Sequence, residues 1–284
     1  MTVYLPWPGH FGDLIRDVLP WLWATWQPGD ICAGNPAHAV LYPGPIDARL
    51  WAPVARVFPE GYDYHRDDAA WEAEARQIAA DLYPSNDLVS FVPGQPPDLY
   101  PKPAIPLPTD PIPCDVVLAP RRKPYPDAKA AWPWAELARL CRERGWTVGL
   151  AGSRQESEAI EADHYAWDED PPGDTVTGSL RLLCGAQVVV SQDSGIGHLA
   201  SLVDAPQVVV YPQRGDERQS LVLRDGLRTP MRFADMHRWN ASLCLPAWGG
   251  PEQVLVAIEE AMHARVFPGP IEPWKARPVT EVSV

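Results

Sequence analysis

The segment from residue 193 to residue 200, which reads Asp-Ser-Gly-Ile-Gly-His-Leu-Ala, constrains the fold more than any other part of this sequence. It follows the apolar run 188–190 and precedes a second apolar run at 208–211. Short β-branched runs bounded by polar residues and glycine are typical of buried strands. Residues 198–203 are apolar enough to continue as a helix, and Pro206 follows its expected end. The pattern therefore predicts a strand, a turn, a helix and a second strand in a parallel α/β sheet.

The turn in this unit is suited to an anion. A helix that begins at the carboxyl end of a strand presents backbone N–H groups and the positive end of its dipole, which favour a diphosphate. An ordinary glycine-rich turn without a ligand has the same pattern, because such turns occur in every α/β domain. The densest cationic cluster, residues 121–123 with Lys129 nearby, follows the apolar run 116–118 and is expected at the same sheet edge. That position favours a phosphate role over a solvated loop.

Three segments together resemble the ADP-heptose:lipopolysaccharide heptosyltransferase family, glycosyltransferase family 9. Residues 193–200, with Pro206 beyond them, resemble its Asp-Thr/Ser-Gly-x-x-His-Leu-Ala motif. Residues 12–20, Gly-Asp-Leu-Ile-Arg-Asp-Val-Leu-Pro, resemble its N-terminal Gly-Asp and the amphipathic helix that follows. Residues 129–133 resemble its Lys-x-Trp-Pro motif, with one extra residue. The order and spacing of the three segments strengthen the resemblance, which spans residues 3–211.

The resemblance implies an α/β protein of the GT-B fold, with two Rossmann-like domains whose parallel sheets face each other across a cleft. It implies an inverting, metal-independent glycosyltransferase that moves a sugar from a nucleotide-sugar donor to a hydroxyl acceptor, with no cofactor besides that donor. The acceptor stays open (a glycan, a lipid-linked saccharide or another hydroxyl compound), because the N-terminal half matches the family little outside Gly12 and Asp13. The alternatives are a catalytically silent nucleotide-sugar-binding protein and a nucleotide-sugar hydrolase or epimerase on the same fold.

Asp13 is the candidate catalytic residue. An inverting transfer needs a base that takes the proton of the acceptor hydroxyl as its oxygen attacks, and a carboxylate on a glycine-rich loop at a cleft can do this. In the resembled family the matching aspartate has this role. The alternative is that Asp13 caps the helix that follows, which is a common role for aspartate after glycine. Trp7, in the loop before Asp13, is the candidate for contact with the acceptor.

The candidate donor-binding residues lie in several separate segments. Lys129, Arg121 and the backbone before His198 are expected to stabilise the charge of the leaving diphosphate. Glu156 follows a predicted strand, where it would accept hydrogen bonds from a ribose or cap the next helix. Asp193 is expected to hold its loop, since it would repel an anionic donor, and His198 either donates a hydrogen bond to the diphosphate or braces the turn. The candidate donor-site residues are Gly12, Arg121, Lys129, Glu156, Asp193, Ser194, Gly195 and His198.

A proline-rich segment divides the chain. We predict an N-terminal acceptor-side domain at 1–93, a linker at 94–113, a nucleotide-sugar-binding domain at 114–250 and a terminal helix with a tail at 251–284. Proline at the density of the linker favours an extended connector. Within the first domain the run 39–42 is predicted as a strand, and in the second the β-branched segment 175–177 is predicted to precede a helix at 180–184.

Composition excludes several classes of protein. The net charge of −13 argues against a broad nucleic-acid-binding surface, because phosphate-backbone binding needs concentrated positive charge. No apolar run reaches the length of a transmembrane segment, and no signal peptide is evident. The five cysteines are dispersed without a C-x-x-C pair, which favours reduced thiols in a cytoplasmic protein over disulfides or a zinc site.

Overall fold

The computed structural model describes residues 1–7, 11–57, 70–92, 100–120, 132–157, 159–168, 175–192, 194–211, 221–224, 227–230 and 244–263. These residues form an α/β structure with two separate parallel sheets and one hairpin. Within the described ranges, no helix combines the length and the apolar character that a membrane crossing requires. The domain boundaries given above stay a prediction, although residues 100–113 contain neither a helix nor a strand.

The N-terminal sheet has three short parallel strands in the order β2-β1-β3: β1 (Thr2–Tyr4), β2 (Ile31–Cys32) and β3 (Asp87–Val89). The helices of this region are α1 (Phe11–Asp13), α2 (Leu19–Thr25), α3 (Ala52–Val57) and α4 (Ala70–Leu82). A π-helical turn (Leu14–Val18) joins α1 to α2, and 3-10 helices occupy Pro36–Leu41 and Ala48–Leu50.

The predicted strand at 39–42 is wrong, because this segment belongs to the 3-10 helix Pro36–Leu41. Asn35 caps that helix by accepting a hydrogen bond from the backbone N–H of Ala37, and Pro36 lies in its first turn. A capping side chain followed by proline begins a helix irrespective of the β-branched residues beyond it. The local start signal therefore outweighs the apolar run.

The C-terminal sheet has six strands, all parallel, in the order β11-β8-β7-β4-β5-β6. Its strands are β4 (Cys114–Ala119), β5 (Val148–Leu150), β6 (His164–Tyr165), β7 (Ala186–Ser191), β8 (Gln207–Tyr211) and β11 (Cys244–Trp248). The helices are α5 (Trp134–Glu143), α6 (Arg154–Ser157), α7 (Thr175–Gly185), α8 (Gly195–Leu202) and α9 (Pro251–His263). Strands β9 (Leu221–Arg224) and β10 (Leu227–Pro230) form a separate antiparallel pair.

The segment 175–177 is helical and not a separate element, because α7 begins at Thr175 and runs unbroken to Gly185. The remaining predicted alternation of strands and helices agrees with the observed elements to within a few residues. The sequence prediction missed the edge strands β6 and β11 and the hairpin β9–β10.

Two apolar layers cover the faces of the C-terminal sheet. On one face, Val188 and Val190 of β7 pack with Trp134 and Leu137 of α5 and with α9. On the opposite face, Val189 packs with α7 and α8, and this layer is continuous with residues of the N-terminal region such as Leu14 and Trp21. The two halves of the chain therefore share one apolar core on the side where β1 and β7 lead into their helices.

Candidate functional site

The first component of the site is the connection between β7 and α8, called here the second loop (residues 192–195). Ser194 has an extended backbone (φ −153°, ψ 165°), and its hydroxyl accepts a hydrogen bond of 3.3 Å from the backbone N–H of Gly197. Ser194 is thus the N-cap of α8, as expected for serine at the start of a helix. The first turn of α8 therefore has a fixed direction at the carboxyl end of the sheet, where its dipole favours an anion.

A side chain of strand β8 ties α8 to the sheet. Gln207 is fully buried, and with its amide oriented so that Nε2 donates to the carbonyl of Gly197 (3.2 Å), its Oε1 accepts from the N–H of Ser201 (3.1 Å). The hydroxyl of Ser191 lies 3.4 Å from the same amide. In this helix His198 is buried, with 5% of its surface exposed.

The second component is the segment between β1 and the π-helical turn Leu14–Val18, called here the first loop (residues 5–13, which include α1 and of which 8–10 lie outside the described residues). Asp13 has helical dihedrals (φ −70°, ψ −35°) and makes no side-chain capping bond, so the helix-cap alternative is not supported. Nη2 of Arg16 lies 3.0 Å from Oδ1 of Asp13, and the same guanidinium also pairs with Asp17. Arg16 thereby fixes the direction of the Asp13 carboxylate, which is 16% exposed.

The helix immediately after Asp13 is irregular. Residues Leu14–Val18 form a π-helical turn between two α-helical segments. Such turns are rare and are frequent at functional sites, because the widened turn displaces the residues beside it. The irregularity begins at the residue after the candidate base.

The two loops are in direct contact. A Cβ atom placed on Gly195 would lie 2.5 Å from Cδ1 of Phe11 and 3.2 Å from the backbone nitrogen of Gly12. A Cβ placed on Gly12 would lie 3.0 Å from Cδ2 of His198. Glycine at both positions is therefore what allows the backbones to approach. The structure thus brings Gly12 and Asp13 of the first loop beside Gly195 and His198 of the second.

Aromatic side chains surround the first loop. Trp7 and Phe91 meet edge to face with their ring centroids 5.5 Å apart, and Phe91 lies at the same distance from Trp21. On the other side Phe11 lies 4.7 Å from the ring of His38. The indole Nε1 of Trp7 is buried and has no hydrogen-bond partner among the described residues.

Some of the predicted site residues cannot be placed. Arg121, Lys129 and Asp193 lie outside the described residues, and Glu156 lies in α6 without a described side chain. Sequence reasoning missed Arg16, although its position three residues after Asp13 on a helix is a recognisable signal. It also missed Gln192, which nothing in the pattern distinguishes from a strand end. Among the described residues, no group of three or more His, Cys, Asp or Glu side chains is arranged to hold a metal ion.

Part of the chain is similar in sequence to known proteins. Residues 119–222 match the family model described as glycosyltransferase family 9 (heptosyltransferase). Lipopolysaccharide heptosyltransferase 1 of Escherichia coli K12 is 36% identical over 86 residues, and its counterpart in Pseudomonas aeruginosa is 35% identical over 86 residues. Each match covers 28% of this chain, and 27% and 24% of the respective relative. The aligned segment thus spans about a quarter of the length of these relatives.

Two solved structures extend the likeness to the whole fold. The structure of E. coli ADP-heptose LPS heptosyltransferase II has a TM-score of 0.52 at 15% identity, covering 93% of this chain and 99% of that one. A glycosyltransferase family 9 protein from Veillonella parvula has a TM-score of 0.50 at 11% identity, covering 92% and 97%. These likenesses confirm the predicted GT-B architecture. The resemblance to heptosyltransferases is confirmed as well: residues 119–222 match the family model, and the fold of the chain is similar to that of a heptosyltransferase.

Proposed function

We propose that this protein is an inverting, metal-independent glycosyltransferase that moves a sugar from a nucleotide-sugar donor to a hydroxyl acceptor. The observation that carries the proposal is the contact between the two loops. An aspartate directed by Arg16 lies on one loop, and the capped start of α8 lies against it on the other. A base and an anion site side by side are the two groups that a one-step displacement from a diphosphate requires.

The donor diphosphate would bind at the start of α8. The backbone N–H groups of the first turn and the helix dipole stabilise the negative charge that grows on the leaving group. Ser194 and Gln207 keep this turn in place before the donor arrives, so no reorganisation is needed during the reaction. Arg121 and Lys129 are proposed to add positive charge from the loop after β4, which would replace a metal ion in this role.

Asp13 is proposed to act on the acceptor. Its carboxylate takes the proton from the acceptor hydroxyl while that oxygen attacks the anomeric carbon of the donor. The bond between the anomeric carbon and the diphosphate oxygen breaks on the opposite side, so the configuration inverts and the nucleoside diphosphate leaves. The aromatic side chains of Trp7 and Phe91 provide the kind of surface on which a sugar ring of the acceptor packs.

The relatives narrow the choice of donor to test first. Their printed names describe heptosyltransferases of lipopolysaccharide, and one title specifies ADP-heptose. We therefore propose ADP-heptose as the first donor to assay. The matched segment lies in the C-terminal region and does not include the first loop, so the acceptor is proposed only as a hydroxyl of a glycan, a lipid-linked saccharide or a similar compound. The described free thiols fit a proposed cytoplasmic location.

A binding panel tests the proposal. Thermal shift against nucleoside diphosphates and nucleotide sugars should show stabilisation by one nucleotide series, because ligands that bind only the folded state raise Tm. EDTA should leave this stabilisation unchanged. If no member of the panel raises Tm, the nucleotide-sugar proposal is wrong.

Substitution of Lys129 tests where the diphosphate lies. Lys129→Ala should weaken nucleoside diphosphate binding by ~1–3 kcal/mol in calorimetry, because it removes a charge-assisted hydrogen bond. Lys102→Ala is the matched control, because Lys102 forms its ion pair beyond the far end of α8. Its Nζ lies 2.5 Å from Oδ2 of Asp204. If the Lys129 and Lys102 variants bind the nucleoside diphosphate with equal affinity, the diphosphate does not lie against Lys129.

A further inference from the structure

Gln192 is a buried polar side chain that the fold itself does not satisfy. It is fully buried directly after β7, two residues before the helix cap Ser194. Neither its Nε2 nor its Oε1 has a hydrogen-bond partner among the described residues. A buried amide that lacks its hydrogen bonds destabilises the folded protein, so such groups are rare in native structures and call for an explanation.

Two tryptophans at the start of α5 link this helix to the edge of the sheet. The indole of Trp132 donates a 3.0 Å hydrogen bond to the carbonyl of Gly249, directly after the outermost strand β11. Trp134 meets Trp132 edge to face with ring centroids 4.7 Å apart. Within the described part of the chain, neither of these contacts satisfies the amide of Gln192.

A second buried glutamine provides a comparison, because its side chain has a structural role. Gln207, at the start of the neighbouring strand β8, is equally buried, and its amide bonds the carbonyl of Gly197 and the N–H of Ser201. That side chain ties α8 to the sheet. Gln192 has no equivalent tie among the described residues, although it lies only two positions before Ser194, the cap of α8. The two residues have the same chemistry and burial and differ in whether the protein satisfies them.

We propose that Gln192 binds the donor: its carboxamide hydrogen-bonds a nucleotide or nucleotide sugar held at the second loop. The inference rests on the proposed function and adds a residue that recognises the ligand through hydrogen bonds. The amide offers one donating and one accepting group. Phosphate oxygens only accept from Nε2, whereas a hydroxyl of the ribose or the sugar can also donate to Oε1. The ligand class that satisfies both atoms is therefore a nucleotide and not a simple phosphate.

Replacing Gln192 with leucine separates this role from a structural one. The Gln192→Leu variant should unfold at the same Tm as the wild type or above it, because it removes an unsatisfied buried amide. It should bind a nucleoside diphosphate on the order of tenfold more weakly, or worse, because two hydrogen bonds are lost. The matched control Gln207→Leu should lower Tm, because it breaks the tie to α8. The probe is whichever of ADP, GDP, UDP and CDP the wild type binds most tightly, measured by calorimetry.

Inorganic pyrophosphate is the second probe, and its affinity should fall less than that of the nucleotide. Nucleotide binding by Gln192→Leu that equals wild type would overturn the inference while leaving the proposed function intact. A fall in Tm comparable to that of Gln207→Leu would also overturn it, since Gln192 would then be structural. If the wild type binds none of the four nucleotides, the proposed function fails and the inference fails with it.

Discussion

The two loops of the site occupy equivalent places in their sheets but are held in different ways. Each follows a parallel strand and leads into a helix. The second loop is fixed by backbone and amide hydrogen bonds, through the cap of Ser194 and the bonds of Gln207. The first loop leads into a π-helical turn and is fixed by charge, through Arg16 and its two aspartates.

This difference follows from what each loop is proposed to do. A diphosphate is recognised by main-chain N–H groups and a helix dipole, which any sequence with the right turn can supply. A catalytic base is one particular side chain that must point in one direction, so its orientation depends on the specific residues around it. The matched family segment includes the second loop and begins more than a hundred residues after the first.

The largest expected effect is a loss of turnover when Asp13 of the first loop is replaced. Asp13→Asn should lower turnover by a factor on the order of 10²–10⁴ while leaving donor affinity unchanged, because it removes the base and keeps the shape. The measurement is steady-state release of nucleoside diphosphate together with calorimetry of the donor. Asp17→Asn is the control, because Asp17 shares Arg16 with Asp13 and its loss perturbs the same ion pairs. If both variants lose turnover equally, the effect belongs to the ion-pair network and not to a base.

The next effect concerns the contact between the loops. Gly195→Ala should destabilise the protein by about 1–3 kcal/mol in urea unfolding, because its new Cβ overlaps Phe11 and crowds Gly12. Phe11→Ala should relieve much of that cost in the double variant, which makes the two substitutions strongly non-additive. Additive effects would show that the loops do not touch in solution.

The smallest effect tests whether charge stabilises the N-terminal region at a position remote from the candidate site. Hydrogen bonds from Arg49, opposed in part by burial and reinforced by Tyr83, lower the pKa of Asp47 to about 2. Because the folded-state pKa is below the ordinary value, the stabilisation is present above about pH 4 and is lost as the pH falls towards 2. Asp47→Asn should therefore cost about 1 kcal/mol at pH 7 and clearly less near pH 2 in urea titrations, because the carboxylate is about half protonated there in the folded state. A cost that is the same at both pH values would show that charge is not the cause.

The sequence predicts the second loop better than the first. Alternating apolar runs and a serine before Gly-x-Gly define β7, the cap and α8 locally, so the pattern alone was sufficient. The 3-10 helix over residues 36–41 was mistaken for a strand, because an apolar run outweighed the local start signal of Asn35 and Pro36. The contact of Phe11 with Gly195 joins residues distant in the chain, and the lack of a partner for the buried amide of Gln192 depends on the packing around it. No local pattern encodes either feature.

The most direct test of the central claim is the configuration of the product. The wild-type protein is incubated with a nucleotide sugar, ADP-heptose first, and a set of saccharide acceptors in the presence of EDTA, and the new glycosidic bond is analysed by proton NMR. The account predicts release of nucleoside diphosphate and a product whose anomeric configuration is opposite to that of the donor. Retention of configuration would contradict a one-step displacement assisted by Asp13. Donor binding without transfer to any acceptor in the set would instead identify a silent nucleotide-sugar-binding protein.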